Sequence, residues 1–233
     1  MWQSWQRLLF LHWRCEPEVI QAHLPAGLTV DTHDGSAWLG IVPFFMRNIR
    51  IRGLPPLPTA TNFLELNLRT YVFDAEGTPG VWFFSLDANS RLTVWGARAW
   101  FRLPYFTARM SAAVDPQTAR VDYHSRRLGT PAEAASHFEY APSGPLRVAE
   151  PGSLEFFLIE RYILFTDLGR GRLATGRVRA LPYQVAGADI AAWDKHLIAL
   201  DGLPVPEGPP AHAVVAPGVD VEVFGLRSAP PRD

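Results

Sequence analysis

The 233-residue chain has a single cysteine, Cys15, and Lys195 is the only lysine among its 22 basic residues. One thiol excludes an intramolecular disulfide and a cysteine-based zinc site, and makes a reducing cytoplasm the expected compartment. The shortage of lysine removes most routes to amine chemistry. Long apolar runs are also lacking. Leu8-Leu9-Phe10-Leu11 is too short for a signal-peptide core and is closed by His12 and Arg14, while Glu155, Glu160 and Arg161 interrupt residues 154–165. No membrane partner is expected. A formal net charge of -1 likewise gives no support to a nucleic-acid partner.

Several familiar motifs are missing: there is no Gly-x-Ser-x-Gly elbow, phosphate loop, dinucleotide fingerprint or His-Glu-x-x-His helix. The histidines at 12, 23, 33, 124, 137, 196 and 212 show no close metal-ligand spacing. Neither a metal nor an organic cofactor is expected.

What is present is a globular composition, with 48% hydrophobic and 19% charged residues and many turn formers, 21 Pro and 18 Gly. With no linker-like segment, residues 1–233 are expected to form one domain. The clearest stretch is 62–72, Asn-Phe-Leu-Glu-Leu-Asn-Leu-Arg-Thr-Tyr-Val. Strand side chains alternate between faces, so Leu64, Leu66, Leu68 and Val72 point one way while Phe63, Glu65, Asn67, Arg69 and Tyr71 point the other. An acid, an amide, a guanidinium and two rings on one face compose the wall of a small-molecule cavity as readily as a solvent-facing sheet.

Strands are also expected near 7–13, in a hairpin over 28–46 turning at Asp34-Gly35, at 81–88, 105–114, 118–127, 161–167, 172–181, 211–216 and 219–226. Trp38 to Phe45 is so continuously apolar that burial on both faces is expected. The run 53–61, with Pro55, Pro56 and Pro58, reads as a stiff loop. Helices are expected at 16–20, at 90–100 with Leu92, Trp95 and Ala99 buried, at 153–160 and at 188–200. Many strands with few helices give an α+β class with a large, mostly antiparallel sheet able to curl into a barrel. If 81–88 returns beside 62–72 with Ser85 opposite Arg69 and Asp87 opposite Asn67, all the polar groups share one face.

Leu-Leu-Phe-Leu-His-Trp at 8–13, the strand at 62–72, Gly-Val-Trp-Phe-Phe-Ser-Leu-Asp-Ala at 80–88, Gly-Ala-Arg at 96–98, Leu-Pro-Tyr-Phe at 103–106 and Phe-Leu-Ile-Glu-Arg-Tyr-Ile-Leu-Phe-Thr at 157–166 together resemble the YqjF-like family. That family has no assigned function and is similar in fold to acetoacetate decarboxylase. The resemblance implies a cone-like antiparallel β-barrel with peripheral helices and a central cavity. Acetoacetate decarboxylase carries Gly-Phe-Pro-Lys-Lys, whose first lysine forms a Schiff base with a keto acid. The similar segment here is Arg102-Leu103-Pro104-Tyr105-Phe106, with Tyr105 in the lysine's place. A phenol cannot form an imine, so that chemistry is not expected. The decarboxylase's His-x-Pro-Trp pattern is also altered, to Ala180-Leu181-Pro182-Tyr183.

By the same resemblance, Glu65 matches a cavity glutamate. The expected site is therefore Glu65 and Tyr105 as proton-handling groups, with Arg69, Asn67, Ser85 and Asp87 binding a small carboxylated or carbonyl ligand. Two plainer readings stand beside it: a Glu65–Arg69 structural ion pair, and Tyr105 as a core aromatic. The ligand could be turned over or merely bound, and the surplus of aromatics permits a homo-oligomer.

Overall fold

A computed structural model describes residues 1–51, 53, 61–169 and 171–228; most of the expected stiff loop, with its prolines at 55, 56 and 58, and Arg170 lie outside them. The first part of the chain runs β1 (Trp2–Cys15), α1 (Pro17–Gln21), β2 (Thr29–Val30), β3 (Ala37–Arg50), β4 (Phe63–Phe73) and β5 (Pro79–Ala88). Then come α2 (Arg91–Phe101), β6 (Tyr105–Val114), β7 (Val121–Arg127), β8 (Ser136–Val148) and α3 (Leu154–Ile159). The remainder is β9 (Ile163–Asp167), β10 (Leu173–Ala180), β11 (Gln184–Ala192), α4 (His196–Leu200), β12 (His212–Val223) and β13 (Arg227–Ser228). The strands form one sheet in the order β13-β10-β9-β5-β6-β7-β8-β11-β12-β1-β3-β4-β2, with further pairings β10–β12 and β5–β4. Pairing is antiparallel except between β5 and β6 and between β5 and β9. Among the described residues, no helix is long and apolar enough to cross a membrane.

The central strands are apolar on both faces because both faces are covered. On β1, Leu8 and Phe10 join one cluster of buried side chains while Leu9, Leu11 and Trp13 join a second on the opposite face. β3 divides the same way, with Trp38, Val42, Phe44 and Met46 against Leu39, Ile41 and Phe45. The local signals at the helix starts hold as well: Pro17 opens α1, and the Ser90 and Ser153 hydroxyls accept from Thr93 N and Phe156 N at the starts of α2 and α3.

Other expectations are corrected. Residues 29–30 do not form a hairpin with β3; they pair with β4, and only the bridge His33–Ser36 closes the Asp34-Gly35 turn. The first five residues of the helix expected over 188–200 belong instead to β11, which pairs with β8 and β12, and only His196–Leu200 are helical. Strand β8 has no counterpart in the sequence reading, and the two final strands are the single β12. On α2 the stripe Leu92, Trp95 and Ala99 faces outward and Val94 is buried instead.

The register between β4 and β5 is offset by one from the expected one. Asn67 lies opposite Leu86 and Glu65 opposite Ala88, while Ser85 and Asp87 pair with Leu68 and Leu66 on the other face. Partners elsewhere account for this: Arg127 Nε donates to Asp87 at 2.8 Å, and Arg127 Nη2 to Ser85 Oγ at 2.7 Å. A bulge after Leu68 brings Phe83 opposite Arg69.

Gly80, buried between β4 and β9, has no room for a side chain, since a Cβ would lie 2.6 Å from Ile163 O and 2.7 Å from Phe165 Cε2. Gly96, on α2, has nothing within 4 Å. In urea denaturation Gly80→Ala should cost about 1–3 kcal/mol by overpacking, whereas Gly96→Ala should stabilise by roughly 0.5–1 kcal/mol. Equal effects at the two positions would refute the close approach of β5 to β9.

Candidate functional site

The sheet arranges its side chains in rows that cross the strands. One row is Phe44, Glu65 and Ala88; the next is Val42, Asn67 and Leu86; a third is His212, His12, Gly40, Arg69 and Phe83. Strand β6, parallel to β5, sets Tyr105 beside Leu86 and so on the same face. Glu65 and Asn67 are only 3% and 4% exposed, so the polar face of β4 is turned inward, not to solvent.

There the Tyr105 hydroxyl donates to Glu65 Oε2 at 2.7 Å. Burial pushes the Glu65 carboxyl up to about 7, against the opposing effect of hydrogen bonds from Tyr105 and Asn67. The same burial, with the Glu65 charge alongside, drives the Tyr105 phenol well above its ordinary value, so Tyr105 stays protonated. Asn67 Oδ1 is buried without a hydrogen-bond partner among the described residues.

Arg69 makes no ion pair with Glu65 or with any other carboxylate among the described residues. Its Nη2 donates to Leu158 O at 3.1 Å, its guanidinium lies 5.3 Å from the Phe10 ring centre, and its Nε–H is buried and unpartnered. The same carbonyl accepts from Tyr71 at 2.8 Å, and His12 Nε2 is 2.7 Å from that hydroxyl oxygen. Because the Tyr71 proton goes to Leu158, His12 Nε2–H must be the donor to Tyr71. His12 Nδ1 is then an acceptor for His212 Nδ1–H at 3.0 Å. Burial, reinforced by His212 and Arg69, lowers the His12 pKa well below its usual value and keeps the ring neutral. Gly40 makes this packing possible, since a Cβ there would stand 3.1 Å from His12 Cδ2 and 3.4 Å from Arg69 Cγ.

A pocket of about 270 Å³ opens on this wall. Glu65, Asn67, Arg69 and Tyr105 supply polar groups; Phe10, Phe44, Phe63, Phe83 and Leu86 supply much of the apolar surface. Leu92, Trp95 and Trp100 of α2 also line it and are largely exposed, which places them at its mouth. Four of the six expected site residues therefore come together. Ser85 and Asp87 do not line the pocket; they sit across the sheet in a buried network with Arg127 and Asp201. There burial raises the Asp87 carboxyl to about 6, with Arg127 opposing. Lys195 donates to Pro206 O and Gly208 O and is not a lining residue. Arg161, which lines the pocket, is bound to Asp31 at 2.9 Å.

His12 does not itself line the pocket, and its part behind the Arg69 end of the wall is what sequence reasoning missed. The signal was a lone histidine inside an otherwise apolar strand, where a buried imidazole requires partners.

A folded Glu65 keeps its proton to about 7, compared with 4.5 for a free glutamate. The folded state therefore binds more protons between these values, so the buried carboxyl weakens the fold as pH rises through the window and costs most above it. Glu65→Gln should raise stability at about pH 8 by roughly 2–3 kcal/mol, with the gain fading towards about pH 4. Thermal denaturation at both pH values checks this, and a variant no more stable than the parent at the higher pH would contradict it.

Residues 2–220 match DUF2071, a family described as an uncharacterised conserved protein. The uncharacterised protein YqjF of Bacillus subtilis (strain 168) is 40% identical over 210 residues, covering 90% of this chain and 85% of that one. Among solved structures, the enduracididine biosynthesis enzyme MppR complexed with pyruvate aligns with a TM-score of 0.67 at 15% identity, over 97% of this chain and 89% of the other. An acetoacetate decarboxylase-like enzyme from Sphingomonas wittichii RW1 aligns at 0.63 and 18% identity, over 98% and 92%. Acetoacetate decarboxylase of Legionella pneumophila aligns at 0.63 and 10%, over 98% and 87%. At these identities the structural likeness establishes an acetoacetate decarboxylase-like fold, here mostly strands with a few helices. Sequence likeness extends through the strands of the pocket wall and the helices around it, and the chain belongs to the DUF2071 family.

Proposed function

We propose that the chain is a single domain whose sheet curls into a cone-like barrel, and that its pocket binds a small carboxylated or carbonyl compound for cofactor-independent acid/base chemistry. The β4–β5 and β10–β12 pairings, which join strands far apart in the sheet order, support the curled form. The observation that carries the functional reading is the polar set left open on the pocket wall. A protonatable Glu65 held by Tyr105 stands near a buried Asn67 Oδ1 and a buried Arg69 Nε–H that have no partners among the described residues. Buried polar atoms without partners are costly, so a ligand that satisfies them gains affinity.

In this reading Arg69 holds the ligand's anionic or carbonyl oxygen and Asn67 accepts from a donor on it. Glu65, poised near neutral pH, takes a proton from the carbon next to the carbonyl or returns one, and Tyr105 offers its proton to an oxygen. No lysine lines the pocket to form an imine, so the covalent step of the decarboxylases has no nucleophile here. The MppR structure in complex with pyruvate is consistent with a small keto acid as the kind of compound to test.

A second reading, a non-catalytic binding or sensing protein, is favoured by that same absence of an amine. Turnover separates the two.

A panel of small carboxylates and carbonyls screened by thermal shift should yield a stabilising compound. Arg69→Ala should weaken its binding by about 2 kcal/mol, roughly thirtyfold. In deuterated water, NMR should show exchange of the ligand's acidic C–H with the parent protein but not with Glu65→Gln, which still binds. Equal binding by parent and Arg69→Ala would remove the anion role; binding without exchange would select the sensing protein.

A further inference from the structure

We propose that Asp122, His124 and His137 form a solvent-facing site for a divalent transition metal of the zinc class, apart from the pocket. His124 on β7 and His137 on β8 are directly opposite one another in an antiparallel pair. Asp122 precedes His124 by two residues and so shares its face. The three side chains converge. His124 Nε2 and His137 Nε2 lie 2.9 and 2.8 Å from the same oxygen, Asp122 Oδ1, and the two rings stack with centres 4.3 Å apart and planes 3° from parallel. One ligand atom from each residue falls within 4.8 Å of the other two.

The backbone makes the arrangement rigid. β7 is hydrogen-bonded to β6 on one side and β8 on the other, and the alternate residues Tyr123, Ser125, Ser136 and Phe138 are buried on the opposite face. Approach from solvent is open on the β6 side, where the residues opposite His124 and Asp122 are only Ser111 and Ala113. The nearby Arg120 does not compete for the carboxylate, being bound by Asp189 and Glu139. The seven histidines are widely spaced in the sequence, and it is the β7–β8 register that makes a chelating pair of two of them.

The donor set decides the class of ion. Two imidazoles and one carboxylate are borderline ligands suited to zinc, nickel or copper, whereas magnesium and calcium favour oxygen alone. Three protein ligands leave a fourth tetrahedral position for water. A metal would take the Nε2 positions now facing Asp122, the proton of each neutral ring moving to Nδ1, where it can still donate a hydrogen bond. None of the three residues lines the pocket, and the proposal does not depend on the pocket's chemistry.

The test is a calorimetric titration of the tag-free, chelator-treated protein with zinc chloride. One equivalent should bind. Magnesium chloride should give no binding. His124→Ala at an exposed position and His137→Ala at a half-buried one, with folding checked by circular dichroism, should each weaken zinc binding at least tenfold. His212→Ala should keep the stoichiometry of one, because the His12–His212 pair is the other place where two imidazoles meet among the described residues. Absence of zinc binding, or binding unchanged in both single variants, would overturn the site.

Discussion

The constraint that most marks the pocket wall is the burial of Glu65. Moving a carboxylate out of water costs several kcal/mol unless hydrogen bonds or a counter-charge replace the lost solvent. Here the replacement is incomplete: Tyr105 and Asn67 donate to it, no cation reaches it among the described residues, and its pKa sits near neutrality. Much of the surrounding architecture follows from keeping that group buried. Phe44 and Ala88 occupy its row on the neighbouring strands, Tyr105 arrives on a strand parallel to β5, and α2 stands at the pocket mouth.

The Arg69 end of the wall is built on a different principle. Instead of a counter-ion, a directional chain of neutral donors, His212 to His12 to Tyr71 to the Leu158 carbonyl, runs beside it. The guanidinium donates to the terminal carbonyl of that chain. The charge is thus oriented without being neutralised, and Nε–H is left open. Gly40 provides the space, which explains a glycine inside a long strand, at a position paired on both sides, where it would otherwise weaken the sheet.

How much of this was legible in the sequence depended on whether the signal was local. The alternation at 62–72, the Ser90 and Ser153 caps and the apolar run of β3 are set by neighbours in the chain, and those elements were read correctly. The β4–β5 register was not, because Ser85 and Asp87 are drawn to the opposite face by Arg127 and Asp201, residues far away in sequence. The helix expected at 188–200 failed for a similar reason. Gln184–Ala192 carries little strand propensity of its own and becomes β11 because β8 and β12 offer it hydrogen bonds. On α2, the apolar stripe was read as core; Leu92 and Trp95 instead line an open pocket, a location that helical periodicity alone cannot distinguish from the core.

The sheet therefore carries two buried polar systems on opposite faces, and their difference is the argument for which of them is the site. Arg127 serves two acids at once, with Nε on Asp87 and Nη1 on Asp201, while Ser85 is bound by both Arg127 and Asp201. That system is satisfied from within, joining β5, β7 and the turn after α4. On the other face Asn67 Oδ1 and Arg69 Nε have no partners among the described residues, and both residues line a largely apolar pocket. Of the buried polar atoms without partners among the described residues, these two are the ones on residues that line the pocket. In the proposed reading this incomplete set is what a ligand completes. The resemblance of the 102–106 segment to the decarboxylases implies that Tyr105 stands in the lysine's place, and under that reading completion means hydrogen bonds and proton transfer, not a covalent bond to the chain.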